Sequence, residues 1–215
     1  MAGGQGRGPA NPTTRLNNYL TAELHNYLTD LASGDDERAE AAVEGLAALP
    51  PAQWNEALDA LQAMLTSPDI DTRWWAARAL AAIPDAQVPA LLLKAFADEE
   101  AGVRQCAALG LRLHPTELAV PALIAALSDE DSLVTDLSAD ALGEIGASAV
   151  PALLKVMQNG SHKARLGATR ALATIGDPRA IPALYAALDS DSALMEYWAT
   201  TGLEKMGVGM VFFKP

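Results

Sequence analysis

The sequence predicts an all-α solenoid of about six short helical hairpins. Three observations carry that prediction. First, a Val/Ile-Pro-Ala-Leu block recurs at Val88–Leu92, Val120–Ile124, Val150–Leu154 and Ile181–Tyr185, its prolines spaced 32, 30 and 31 residues apart. Second, a block ending in a helix-forming Ala-Leu or Gly-Leu recurs at Arg73–Leu80, Arg104–Leu111, Thr135–Leu142, Arg165–Leu172 and Glu196–Leu203, spaced 31, 31, 30 and 31. A fixed period of this length is the signature of stacked repeats. Third, half of the 215 residues are hydrophobic but only 5% are aromatic, so the core is built from Ala and Leu, both strong helix formers.

The elements follow in order. Residues 1–12 are Gly-rich and polar and are expected to form a disordered tail. Thr13 to Leu31 reads as the first helix A, with an apolar stripe from Leu16, Tyr19, Leu20, Leu24, Tyr27, Leu28 and Leu31. Asp35 to Leu49 reads as its helix B, stopped by Pro50-Pro51. The hairpins are expected at 13–50, 51–84, 85–115, 116–146, 147–176 and 177–207. In each later hairpin the Val/Ile-Pro pair opens helix A, because a first-turn proline forfeits no helical hydrogen bond. An acidic or Ser-rich loop, such as Ser128–Asp131 or Asp189–Ser192, then caps helix B. Gly146, Gly176 and Gly207, or Pro84 and Pro115, end it. Leu80, Leu111, Leu142, Leu172 and Leu203 hold equivalent places and predict a leucine ladder through the core. Residues 208–215 form a hydrophobic tail, read as a cap over the last hairpin.

Charge and motif content narrow the function. The net charge of −12 disfavours nucleic acid as a main partner, since phosphate binding needs a cationic surface. Cys106 is the only cysteine, which excludes an internal disulfide and a cysteine-built zinc site. No run reaches the roughly 20 apolar residues of a membrane span, and the amino terminus lacks a secretory apolar core. A cytoplasmic location is expected. There is no Gly-rich phosphate loop or nucleophile elbow, and no EF-hand spacing in the acidic loops. No catalytic, cofactor or metal residue is therefore assigned.

The pattern Val/Ile-Pro-Ala-Leu, acidic turn, Arg, Ala-Ala-x-Ala-Leu-x-x-Ile-Gly resembles the HEAT-like repeats named after phycobilin lyases. The resemblance covers residues 51–207 well and 13–50 weakly, and Asp177–Leu184 follows it closely. It implies a right-handed α-α superhelix of HEAT/armadillo type, with the B helices on the concave side. Within the family, hydroxylases with a di-iron centre use His-Glu pairs. Here His25, His114 and His162 are followed by Asn, Pro and Lys, so those ligands are missing. The leading expectation is a non-catalytic scaffold or adaptor that holds a protein or peptide along the concave face. The alternative is a phycobilin lyase-like protein handling a linear tetrapyrrole. A HEAT-like DNA glycosylase stands last, because the concave lining is not basic.

Outward positions on the B helices supply the candidate site: Trp74, Arg78, Arg112, Asp136, Asp140, Arg170 and Tyr197. Trp and Arg dominate many binding surfaces. Trp74 and Trp75 are adjacent and cannot share a helix face, so one is expected inside and the other partly exposed. Arg73, Arg104 and Arg165 open successive B helices and are expected to pair with acidic loops. His114 is read as helix-end packing and Cys106 as a small, partly buried side chain without special reactivity.

Overall fold

Proline and capping residues divide the chain into helices as the repeat dictates. The computed structural model describes residues 12–208, with side chains from Ala22 onward. The segment expected to be an unstructured amino-terminal tail lies outside the described residues, except for Pro12, which opens the first helix. The carboxy-terminal tail also lies outside them, except for Val208, and so do the side chains of Leu16, Tyr19 and Leu20.

Twelve α-helices alternate between the A and B roles among the described residues. The A helices are α1 (Pro12–Leu31), α3 (Pro51–Met64), α5 (Val88–Ala95), α7 (Val120–Ala126), α9 (Val150–Asn159) and α11 (Ile181–Leu188). The B helices are α2 (Asp36–Ala47), α4 (Ile70–Ala82), α6 (Ala101–Leu113), α8 (Ser132–Ile145), α10 (His162–Ile175) and α12 (Ala193–Lys205). Prolines sit in the first turn of α3, α5, α7, α9 and α11. Side chains of Asp35, Asp69, Asp131, Ser161 and Ser192 accept the first free N–H groups of α2, α4, α8, α10 and α12. Gly176 ends α10 in the left-handed conformation, φ +68°, which a side chain would strain.

Helices as short as α5, α7 and α11 cannot persist alone in water. Packing holds them. Each B helix lies against the next, from α2 through α4, α6, α8 and α10 to α12, while the A helices cover the other side. This is the right-handed HEAT/armadillo superhelix that the repeat pattern predicts. Leu80, Leu111, Leu142 and Leu172 are fully buried and Leu203 nearly so, so the leucine ladder runs the length of the array. Alanines fill the space between helices: Ala76, Ala107, Ala141, Ala171 and Ala199 are all solvent-inaccessible. Two B-helix backbones approach closely at Gly202, where a Cβ would stand 2.8 Å from the Cα of Ala173. Only glycine lets α12 ride so near α10.

The A–B loops carry a second adhesive. Arg73 of α4 reaches the next hairpin and donates from Nε and Nη2 to Asp98, at 2.7 and 2.9 Å. Its Nη1 donates to the Ser67 carbonyl of its own loop. Arg104 of α6 repeats the arrangement one unit on, gripping Asp129 at 3.1 and 2.9 Å and the carbonyls of Asp98 and Glu99. Arg73 and Arg104 thus pair with the acidic loop of the following repeat, 25 residues onward, whereas Arg165, expected to do the same, makes no ion pair among the described residues because Ser190 stands where the aspartate would be. Burial alone would raise the Asp98 carboxyl. The hydrogen bonds from Arg73 and the Glu100 N–H, with the charges of Arg73 and Arg104, outweigh it and hold the group below its ordinary range. Asp129 is held down in the same way, chiefly by Arg104 against burial. Thr135 replaces the arginine at the next junction, and Lys163 binds the Asp129 carbonyl there instead.

Candidate functional site

Helical periodicity sends one stripe of each B helix into the core and turns the opposite stripe outward. Because the B helices lie side by side, the outward stripes merge into one continuous face. All seven sequence-derived candidates fall on these helices: Trp74 and Arg78 on α4, Arg112 on α6, Asp136 and Asp140 on α8, Arg170 on α10, and Tyr197 on α12.

The centre of the face is an ion-pair network spanning three helices. Arg170 bridges two carboxylates, 3.2 Å from Asp136 and 2.7 Å from Asp140. Arg112 approaches the same Asp140 from the other side at 3.9 Å. The Arg170 guanidinium also lies 5.4 Å from the centre of the Trp198 ring, within cation–π range. Trp198 meets Tyr197 edge to face at 5.1 Å, and Tyr197 is 58% exposed. The structure therefore gathers Arg112, Asp136, Asp140, Arg170 and Tyr197 into one connected patch.

The other two candidates sit apart from it. Arg78 donates to Glu40 of α2 at 2.6 Å, which ties the first two hairpins together. Trp74 is half-buried and meets Trp75 edge to face at 4.8 Å, while Trp75 is buried in the core. Trp74 leans toward Gly102 of α6, whose Cβ position is 3.7 Å from the indole. Sequence reasoning did not find Trp198 as part of the patch or Glu40 as the partner of Arg78. Both contacts join residues about one repeat apart, and only the lateral stacking of B helices brings them together.

Two other residues singled out in the sequence are occupied by structural work. His114 Nε2 lies 2.9 Å from the Ala81 carbonyl of α4, so it joins helix ends. Cys106 is buried, and burial pushes its thiol up to about 11, which suppresses the reactive thiolate at neutral pH. No cluster of three or more His, Cys, Asp or Glu side chains that could hold a metal ion occurs among the described residues. No helix among them is long and apolar enough to cross a membrane.

What this face can do is bind. It offers exposed aromatic area at Tyr197, half-buried aromatic area at Trp74, and fixed charges of both signs between them. Ion pairs at half-exposed positions contribute little to stability.

Comparison with known proteins places the chain. The sequence profile described as HEAT repeats matches residues 21–112, 88–163 and 120–204. The chain is 33% identical over 147 residues to an uncharacterized phycocyanin operon protein Z of Pseudanabaena tenuis, covering 64% of this chain and 73% of the relative. It is 41% identical over 78 residues to phycocyanobilin lyase subunit beta of the same organism, covering 36% of this chain and 28% of the relative. Among solved structures, the CpcE–CpcF complex of phycocyanin lyase from Nostoc shares the fold, with a TM-score of 0.52, 21% identity, and 96% and 81% of the two chains covered. The chain belongs to the HEAT-repeat proteins, within the group of phycobilin lyase HEAT-like repeats.

Proposed function

We propose that this chain is a bilin-handling protein of the phycobilin lyase class. In this reading it holds a bilin-carrying protein, or a second lyase subunit, along the B-helix face. The observation that carries the reading is kinship: the relatives are a phycocyanobilin lyase subunit and a phycocyanin operon protein. That kinship favours chromophore handling over the plain adaptor that the sequence alone put first. The lyase subunit is matched over only 28% of its length, so its activity enters here as part of the proposal.

The geometry fits the binding half of the task. The B-helix face, taken as the concave side, presents Trp74 and Tyr197 as aromatic anchors. Arg78, Arg112 and Arg170 supply planar guanidinium groups suited to carboxylates. Asp136 and Asp140 hold Arg112 and Arg170 in place, and Glu40 holds Arg78. A linear tetrapyrrole joins an extended apolar π-system to propionate carboxylates, and this combination of aromatic and guanidinium groups matches it.

The test is binding of an apo-phycocyanin subunit, measured by calorimetry with the native chain and with Trp74→Ala and Asp140→Ala. Each substitution is expected to weaken binding about tenfold, a usual effect for an interface anchor. Native-like affinity in both variants would remove the B-helix face from the proposal.

A further inference from the structure

A second site lies on the A–B loop edge, away from the B-helix face. The staple that joins hairpins through Arg73–Asp98 and Arg104–Asp129 is incomplete at the last junction. Arg165 holds the equivalent place at the start of α10, in the fourth position after the capping Ser161. Twenty-five residues onward, where its counterparts meet aspartate, stands Ser190. Ser190 otherwise keeps the aspartate's role: its hydroxyl accepts the Ser192 N–H, as Asp98 accepts that of Glu100 and Asp129 that of Asp131. The carboxylate alone is missing, and among the described residues Arg165 makes no ion pair.

At this unpaired guanidinium the structure has a cavity of about 690 Å³ between α9, α11 and the first turns of α10 and α12. Leu154, Met157 and Met195 form its apolar wall; Arg165, His162 and Gln158 stand at its polar side, with Arg179, whose guanidinium is already paired with Asp177. A volume of that size is ordinary for a small-molecule site. The depression at the first stapled junction is different. It is lined by Thr66, Ser67 and Pro68, and its arginine is already neutralised by Asp98.

We propose that this cavity binds an amphipathic carboxylate, whose carboxyl group takes the vacant place opposite Arg165 while its apolar body lies against Met157, Leu154 and Met195. Asp189 and Asp191 share the rim and are exposed. They repel a compact polyanion such as phosphate more strongly than a ligand whose carboxylates are spaced along an apolar body. Two sources offer this chemistry: a propionate-bearing linear tetrapyrrole, as the proposed function supplies, and a fatty acid.

The experiment titrates the full chain with phycocyanobilin, followed by absorbance, and with decanoate, followed by calorimetry. The variants are Arg165→Ala, Ser190→Asp and Ala186→Trp. Arg165 is exposed and, among the described residues, makes no ion pair, so its removal is expected to leave the fold intact. Ser190→Asp completes the staple within the chain and closes the guanidinium to ligand. Ala186→Trp fills the cavity. Binding of either acid that falls at least roughly tenfold in all three variants, the loss expected for a charge-assisted hydrogen bond, supports the site. Whichever acid binds identifies the source. If neither acid binds, or if the variants bind as the native chain does, the site does not exist. Phycocyanobilin that binds the three variants as it binds the native chain removes this site and leaves the B-helix face as the place where it is held, and the protein-binding half of the proposed function is decided separately with the apo-phycocyanin subunit.

Discussion

Removing one carboxylate from a loop staple should destabilise the array far more than removing an unpaired arginine from the same edge. Take Asp98→Ala. Its side chain is 11% exposed and that of Arg73 9%, so the pair is largely withdrawn from water. The substitution leaves Arg73 buried, with the Ser67 carbonyl at 3.1 Å as its remaining strong partner. Glu99 stands 3.9 Å away and 86% exposed, able to recover a fraction of the attraction. Breaking a buried pair from one side costs about 3–5 kcal/mol, and the Glu99 rescue brings the expected loss to about 3 kcal/mol. With a urea slope of about 3 kcal/mol/M for a chain of this size, the midpoint falls by about 1 M. Trp74 and Trp75, on the same helix as Arg73, report the transition by fluorescence. Arg165→Ala, with no ion pair to lose, should stay within about 0.5 kcal/mol of the native chain. The double variant Arg73→Ala/Asp98→Ala should recover part of the loss, because no buried charge is then left alone. A midpoint change under about 0.2 M for Asp98→Ala would refute the staple.

Further outcomes follow from the same structure. Leu142→Ala removes a fully buried member of the leucine ladder and should cost about 3–5 kcal/mol in urea unfolding; a change near zero would contradict the helical register. Gly202→Ala drives a Cβ against the Ala173 backbone and should cost about 1–3 kcal/mol, read as a lower Tm. The carboxyls of Asp98 and Asp129 are held below their ordinary value of 3.8. Their contribution is therefore complete above that pH and is lost as pH falls through the depressed folded-state values. The stability gap between the native chain and Asp98→Ala should accordingly be full at neutral pH and narrow steadily below 3.8. Cys106, with its thiol near 11, should resist a thiol-disulfide reagent in the native chain and react promptly in urea.

The fold was legible because its causes are local and repeated. The Val/Ile-Pro pairs, the capping Asp and Ser residues and the equivalent leucines each act within one hairpin, and the period discloses how hairpins stack. The division of labour between Trp74 and Trp75 was legible for the same reason, since adjacent helical positions face apart. The contacts that build the candidate site are lateral. Arg170 meeting Asp140 and Trp198 requires three B helices in register, and no local pattern announces it. The cavity beside Arg165 had a signal that could have been read. Arginine at one repeat position goes with aspartate 25 residues onward at Arg73 and Arg104, and with serine at Arg165. Acidic residues crowd every loop, so the sequence alone did not tell which of them each arginine holds.

The most direct test of the account is chromophore attachment. The purified chain, alone and with a lyase partner subunit, is incubated with phycocyanobilin and an apo-phycocyanin subunit, and the products are separated under denaturing conditions. The account predicts a covalent, fluorescent bilin–protein band that depends on this chain and weakens with Trp74→Ala or Asp140→Ala. Equal attachment with and without the chain, in both mixtures, would contradict it.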